Sequence, residues 1–170
     1  MFVVRVLMGK EGRVPDIVKR SYDDLPFLSD GRINYSDAER VPTVAVFLKF
    51  GNKILVLKRS KEVSNYQGRW SVITGYLDEI EPLIEKAFEE VEEETGVDID
   101  EVSSVDVADP IEVEDDDRVW VTFPVLMKLR SEPEVELNWE SVDYRWIRVD
   151  EIDDFISSSF LRCLDCLIDF

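Results

Sequence analysis

Between Gly75 and Val97 the chain reads GYLDEIEPLIEKAFEEVEEETGV, a stretch that admits few conformations. At about 100° per residue, Leu83, Ile84, Ala87, Phe88 and Val91 fall on one stripe of a helix over residues 82–95. Pro82 suits its first turn and Gly96 its C-terminal stop. The stripe requires a core to face. Glu85 and Glu92 fall opposite, in solvent. Glu90, Glu93 and Glu94 share a third arc at the edge of the apolar stripe. Carboxylates at such a boundary are costly unless a cation pairs with them, and like charges three or four residues apart repel. Nine acidic side chains crowd this stretch. An ordinary solvated face is one reading. The other is a site for a hard divalent cation, Mg2+ or Mn2+, which keeps some of its waters and reaches out to phosphates.

The flanking segments supply the sheet that such a helix would cover. VPTVAVFLKF (41–50) and KILVLKR (53–59) are apolar and rich in β-branched residues, with Gly51-Asn52 between them as a two-residue hairpin signal. Further strands are expected over 70–77, 102–108, 119–130 and 143–149, with Pro124 predicting an edge or a bulge. A C-terminal helix should begin near Asp150 and break around Ser157–Ser159. Residues 2–8 read as a strand, and 11–40 as polar and irregular. The expected class is α+β in a single domain. An N-terminal extension, 1–40, should pack on a core spanning 41–170 or on a second copy, as in a homodimer.

A net charge of −18 over 170 residues repels phosphate backbones, which excludes general nucleic-acid binding. A small phosphorylated substrate remains compatible if metal ions bridge the like charges. The chain has no histidine, so the commonest general base and transition-metal ligand are missing. No apolar run approaches the roughly 20 residues of a membrane span, so the expected location is cytoplasmic. Cys163 and Cys166 form a C-x-x-C within an apolar helical pattern. It reads as packing, with a redox pair as the alternative.

Gly75, five residues, Glu81, seven residues and then EEVEEETGV closely resemble the Nudix box, G-x5-E-x7-R-E-U-x-E-E-x-G-U with U aliphatic. Every fixed position matches except the arginine, which is Glu89 here. GRWSVITG (68–75) and YRWIRVDEI (144–152) are similar to the family's strand entering the box and its late strand. The resemblance covers roughly residues 41–156. It implies an α/β/α sandwich with a mixed sheet, and a divalent-metal-dependent hydrolase of a pyrophosphate bond in a nucleoside diphosphate derivative. By position, Glu90, Glu93 and Glu94 match the metal ligands, with the carbonyl of Gly75 often joining them. Glu81 and Glu89 occupy the positions that support the box. With no histidine, the base that activates water falls to a carboxylate, Glu93 or Glu90, or to hydroxide on the metal. Glu140 is an outside candidate, its other reading being a solvated loop residue.

Two departures from the family pattern leave an alternative, a catalytically weak module that binds a nucleotide or a partner. One is Ile73-Thr74, where many relatives carry a proline and a glycine. The other is Glu89. Lys86, three residues before Glu89 and four before Glu90, offers partial compensation, and an arginine restored at 89 is expected to raise kcat. Lys58, Arg59 and Arg69, with Lys61, flank the presumed cleft as phosphate-binding candidates or as solubilising charges. Tyr66, Tyr76, Trp120 and Trp139 read as core aromatics, with base stacking as the alternative.

Overall fold

The computed structural model describes residues 12–168, so the strand expected over residues 2–8 lies outside the described residues. Eight strands form one mixed sheet whose spine is β1 (Arg40–Phe50). The apolar run 41–50 has no polar face, which suits a strand covered on both sides. β1 runs parallel to β7 (Arg118–Leu129) from Arg40↔Val119 to Lys49↔Lys128. Its other edge is shared. β4 (Ile73–Tyr76) takes Thr43 to Val46, and β2 (Lys53–Arg59) takes Lys49 and Phe50 after the Gly51-Asn52 turn. β2 carries β3 (Trp70–Ser71) and β8 (Ser141–Arg148). β7 carries β5 (Val102–Val107) and β6 (Ile111–Asp115) on its far side.

Alternating strand residues feed two cores. Val44, Val46, Leu48, Leu55 and Leu57 pack with Leu83, Ala87 and Val91 of α2 (Leu83–Thr95). Ala45, Phe47, Ile54 and Val56 pack with Cys163 and Leu164 of α3 (Ser158–Asp165). Sheet between helices makes an α/β/α sandwich of the α+β class. α2 stops at Gly96, whose φ of 69° is the left-handed conformation glycine adopts without strain, and its N–H bonds Glu92 O at 2.9 Å.

Two expectations need correction, and one strand carries no signal in the sequence. Pro124 lies on neither an edge nor a bulge: β7 is internal, between β1 and the β5/β6 pair. Pro124 O accepts from Ala108 N at 3.1 Å, just where β7 changes partner from β6 to β5. A residue's N and O face the same neighbour in a strand, so the missing donor falls in the gap between two partners. The stretch 11–40 is not wholly irregular. It holds α1 (Asp16–Asp24), of which only Val18 and Ser21 are buried, too narrow a stripe to register as periodicity. β6, IEVED, is half-exposed and acidic, and its strand character comes from pairing with β7 rather than from propensity.

Residues 13–39 contact the segment that leads into α2. Ile33 N donates to Asp78 O at 2.8 Å, Leu83 N to Arg13 O at 3.1 Å and Tyr35 Oη to Leu77 O at 2.7 Å. Val18, Ile33 and Tyr35 are buried in the same core as α2. Burial raises the Tyr35 phenol to about 12. Ile33→Ala should therefore cost about 2–5 kcal/mol. A lowered urea midpoint at unchanged slope would bear this out, and an unchanged midpoint would show that this segment only rests on the surface.

Candidate active site

The arc of glutamates on α2 divides in the structure. Glu90 and Glu94 are buried, at 8% and 4% exposure, while Glu93 stands in solvent. Glu90 lies against the backbone of Gly75: a β-carbon there would come within 2.3 Å of its carboxylate. Gly75 on β4 thus permits the close approach of strand and helix, whatever its carbonyl does. Burial pushes the Glu90 carboxyl up to about 7, and Lys86 opposes the shift.

Lys86 occupies the middle of the network. Its Nζ lies 3.1 Å from Glu90 Oε1, 3.1 Å from Glu89 Oε2 and 4.0 Å from Asp78 Oδ1, with the residue 8% exposed. Burial alone would lower its pKa, but the Glu90 and Glu89 carboxylates outweigh that and hold it above the usual lysine range. Arg32 reaches the other Asp78 oxygen at 3.3 Å. Beside this network Glu81 keeps one buried oxygen, Oε1, without a hydrogen-bond partner. Burial and then the Glu89 charge raise it to about 7. The helical wheel sets Lys86 between Glu89 and Glu90. The signal for its burial was the local spacing, but the loop that covers it follows only from the tertiary fold.

Glu94 forms a second focus. Its Oε2 is buried without a partner. Burial, then the Glu140 carboxylate within hydrogen-bonding reach, then Glu90, hold its pKa well above the ordinary range, with Arg59 opposing. Glu140 is therefore not a solvated loop residue. It is half-buried, and its backbone oxygen accepts from Ser60 N at 2.7 Å. Lys58, Arg59 and Lys61 line a cavity of about 520 Å3 that also includes Trp139 and Val142. Arg69 is not part of that lining. It lies over the Tyr66 ring, 5.6 Å from the centroid.

The aromatics depart from the core expectation. Trp139, Tyr66 and Tyr76 are exposed, while Trp120 is half-buried against the core. Cys163 is buried packing, its thiol raised to about 11 by burial, whereas Cys166 is exposed.

Hard oxygen donors, a carboxylate cradled by Gly75 and the orphaned Glu94 Oε2 fit a divalent cation in kind. Among the described residues no three carboxylates already converge as a ligand set, and Lys86 occupies one oxygen of Glu90.

A sequence model of the NUDIX domain matches residues 39–162. The chain belongs to the Nudix family. Its fold matches solved Nudix structures at low identity. The MutT protein of Methanosarcina mazei Go1 is 20% identical, with a TM-score of 0.64 over 76% of this chain and 93% of that one. A Caenorhabditis elegans Ap4A hydrolase is 16% identical, with a TM-score of 0.58 over 75% and 93%. The NUDIX domain of Shewanella oneidensis NrtR, solved with ADP ribose, is 17% identical, with a TM-score of 0.60 over 74% and 86%. No curated protein matches. This is a Nudix-type hydrolase, of a family and fold typical of pyrophosphate hydrolysis.

The geometry reverses the expectation for the Nudix-box position occupied by Glu89. An arginine there would meet the Lys86 ammonium, so Glu89→Arg should lower both stability and kcat. Lys86→Gln in the same chain should recover part of each, because the guanidinium then has the carboxylates to itself. A double-mutant cycle read by urea denaturation and kcat checks this, and additive effects would show that the two positions do not communicate.

Glu81 gives a pH prediction. Its folded pKa lies above the unfolded one, so the native state holds the extra proton. Stability from this group is then present below the ordinary carboxylate value of 4.5 and is lost as pH rises through about 7. With metal chelated, Glu81→Gln should raise the thermal midpoint at pH 8 and leave it nearly unchanged at pH 4.5. Equal shifts at both pH values would show that Glu81 does not titrate in this window.

Proposed function

We propose that this chain hydrolyses a pyrophosphate bond in a nucleoside diphosphate derivative, with Mg2+ or Mn2+ as cofactor. The observation that carries the reading is Glu94. It is a buried carboxylate with an unpartnered oxygen, next to Glu90 and Glu140 and within the field of Arg59 at a basic cavity. A carboxylate in that position is costly in isolation and suits a cation that arrives with its substrate.

The residues divide the work. Glu90 and Glu94 would hold the metal from the buried arc, and Glu93 from the exposed one, with Gly75 allowing the helix to approach. When bound, the metal screens the phosphate charge and lowers the pKa of a water. Glu93, exposed, would accept the proton of the attacking water, since Glu90 is engaged by Lys86. Arg59 and Lys58 attract and orient the phosphates. Glu89 acts from behind through Lys86, and Glu81 stands beside it within the field of both. Two of the similar structures are named for nucleotide-derived compounds, Ap4A and ADP ribose, which supports a nucleotide-derived substrate here.

One observation favours the alternative of a weakly catalytic binding module. The Lys86 ammonium sits on Glu90 Oε1, an oxygen that the metal would need. A substrate panel with and without Mg2+ separates the two readings, because a binding module would retain ligand with no phosphate released.

Glu94→Gln should lower metal-dependent turnover by about 100-fold or more. In the absence of metal the variant should match or exceed the parent in thermal midpoint, since a buried charge is removed. Turnover close to that of the parent at limiting Mg2+ would refute the assignment of Glu94.

A further inference from the structure

We infer that the cavity at Arg59 is the nucleoside end of the substrate site, with Trp139 as the platform on which an aromatic base stacks and Lys58 and Lys61 as anchors of the phosphate that follows it. This rests on the hydrolase reading and specifies it.

The first support is the way Trp139 is held. An indole that is 60% exposed is unusual for so large an apolar group. It is not loosely placed, because the turn that carries it is fixed at both sides. Asn138 Oδ1 accepts from Glu140 N at 3.0 Å, and Glu140 O accepts from Ser60 N at 2.7 Å. The same turn sends the Glu140 carboxylate to Glu94 and sets the indole in the cavity wall. One short loop therefore couples the acidic site to the aromatic surface.

The second support is charge. In a chain of net charge −18, three cations meet at this one cavity, with only Glu62 opposing them among its lining residues. Among the described residues no carboxylate pairs with Lys58 or Lys61. The loop after Arg59 is braced as well: Arg59 Nε donates to Asn65 O at 2.9 Å, and Gln67 Nε2 to Val63 O at 2.9 Å. A volume of about 520 Å3 suits a small molecule. Flat apolar surface beside unpaired cations, at the border of the carboxylates, is the chemistry of a ring joined to phosphates. The ring lies on Trp139, and the phosphate chain runs past Arg59 toward Glu94.

Binding of two non-cleavable probes by calorimetry tests this with no turnover involved. α,β-Methylene-ADP carries a base and methylenediphosphonate does not. Trp139→Leu should weaken the first by about tenfold or more and leave the second unchanged. Lys58→Ala/Lys61→Ala should weaken both and flatten their salt dependence. Thermal midpoints equal to that of the parent confirm intact folds. If Trp139→Leu binds the nucleotide probe as tightly as the parent, or weakens both probes equally, the platform is refuted. If the parent binds neither probe, or if Trp139→Leu changes only the mass in solution, the surface contacts a protein and the inference falls. The hydrolase reading fails separately: no phosphate released from any substrate of the panel with Mg2+, together with a selective Trp139→Leu defect, would leave a nucleotide site without the proposed chemistry.

Discussion

A buried ammonium holds the acidic side of this protein in place. Lys86 sits among Glu89, Glu90 and Asp78, and Arg32 completes the alternation of charge from the other side of Asp78. Without it, Asp78, Glu81 and Glu90 would share a poorly solvated corner beside the Glu89 charge. The family's box arginine is a planar fork that fixes a glutamate through two hydrogen bonds. Here a compact charge one helical turn earlier serves several carboxylates at once, at the cost of directional control. The local charge pattern of the box is thus inverted rather than lost: the carboxylate has moved to position 89 and the cation to position 86.

That inversion explains how the site combines stability with readiness to bind. Among the described residues three buried oxygens remain without a hydrogen-bond partner, Asp78 Oδ1, Glu81 Oε1 and Glu94 Oε2. Burial is the largest cause of the raised pKa at all three carboxyls. At Glu94 the Glu140 carboxylate adds to the shift and Arg59, at the basic cavity, opposes it. At Glu81 the Glu89 charge adds to it and Lys86 opposes it.

Much of this was legible in the chain because local periodicity determined it. The α2 stripe, the Gly51-Asn52 turn and the stop at Gly96 each follow from residues within a few positions. What escaped depended on distant partners. Glu93 shares an arc with Glu90 and Glu94 on a wheel, but only the latter two come under the cover of neighbouring segments. Trp139 looked like a core aromatic because a sequence does not show that a turn pinned to Ser60 will hold it outward. Pro124 looked like an edge signal because the change of partner along β7 requires knowledge of β5 and β6. Val18 alone could not announce α1.

The residues that contact the box loop from the N-terminal side, Arg13, Arg32, Ile33 and Tyr35, all precede the segment that the family model matches. Common ancestry and mechanical unit therefore have different boundaries in this molecule. A chimera joined at residue 39 would carry the whole inherited catalytic pattern and still leave the loop before α2 without its backbone partners. A change at Arg32 would reach the glutamates through Asp78 and Lys86 without altering a residue of the box.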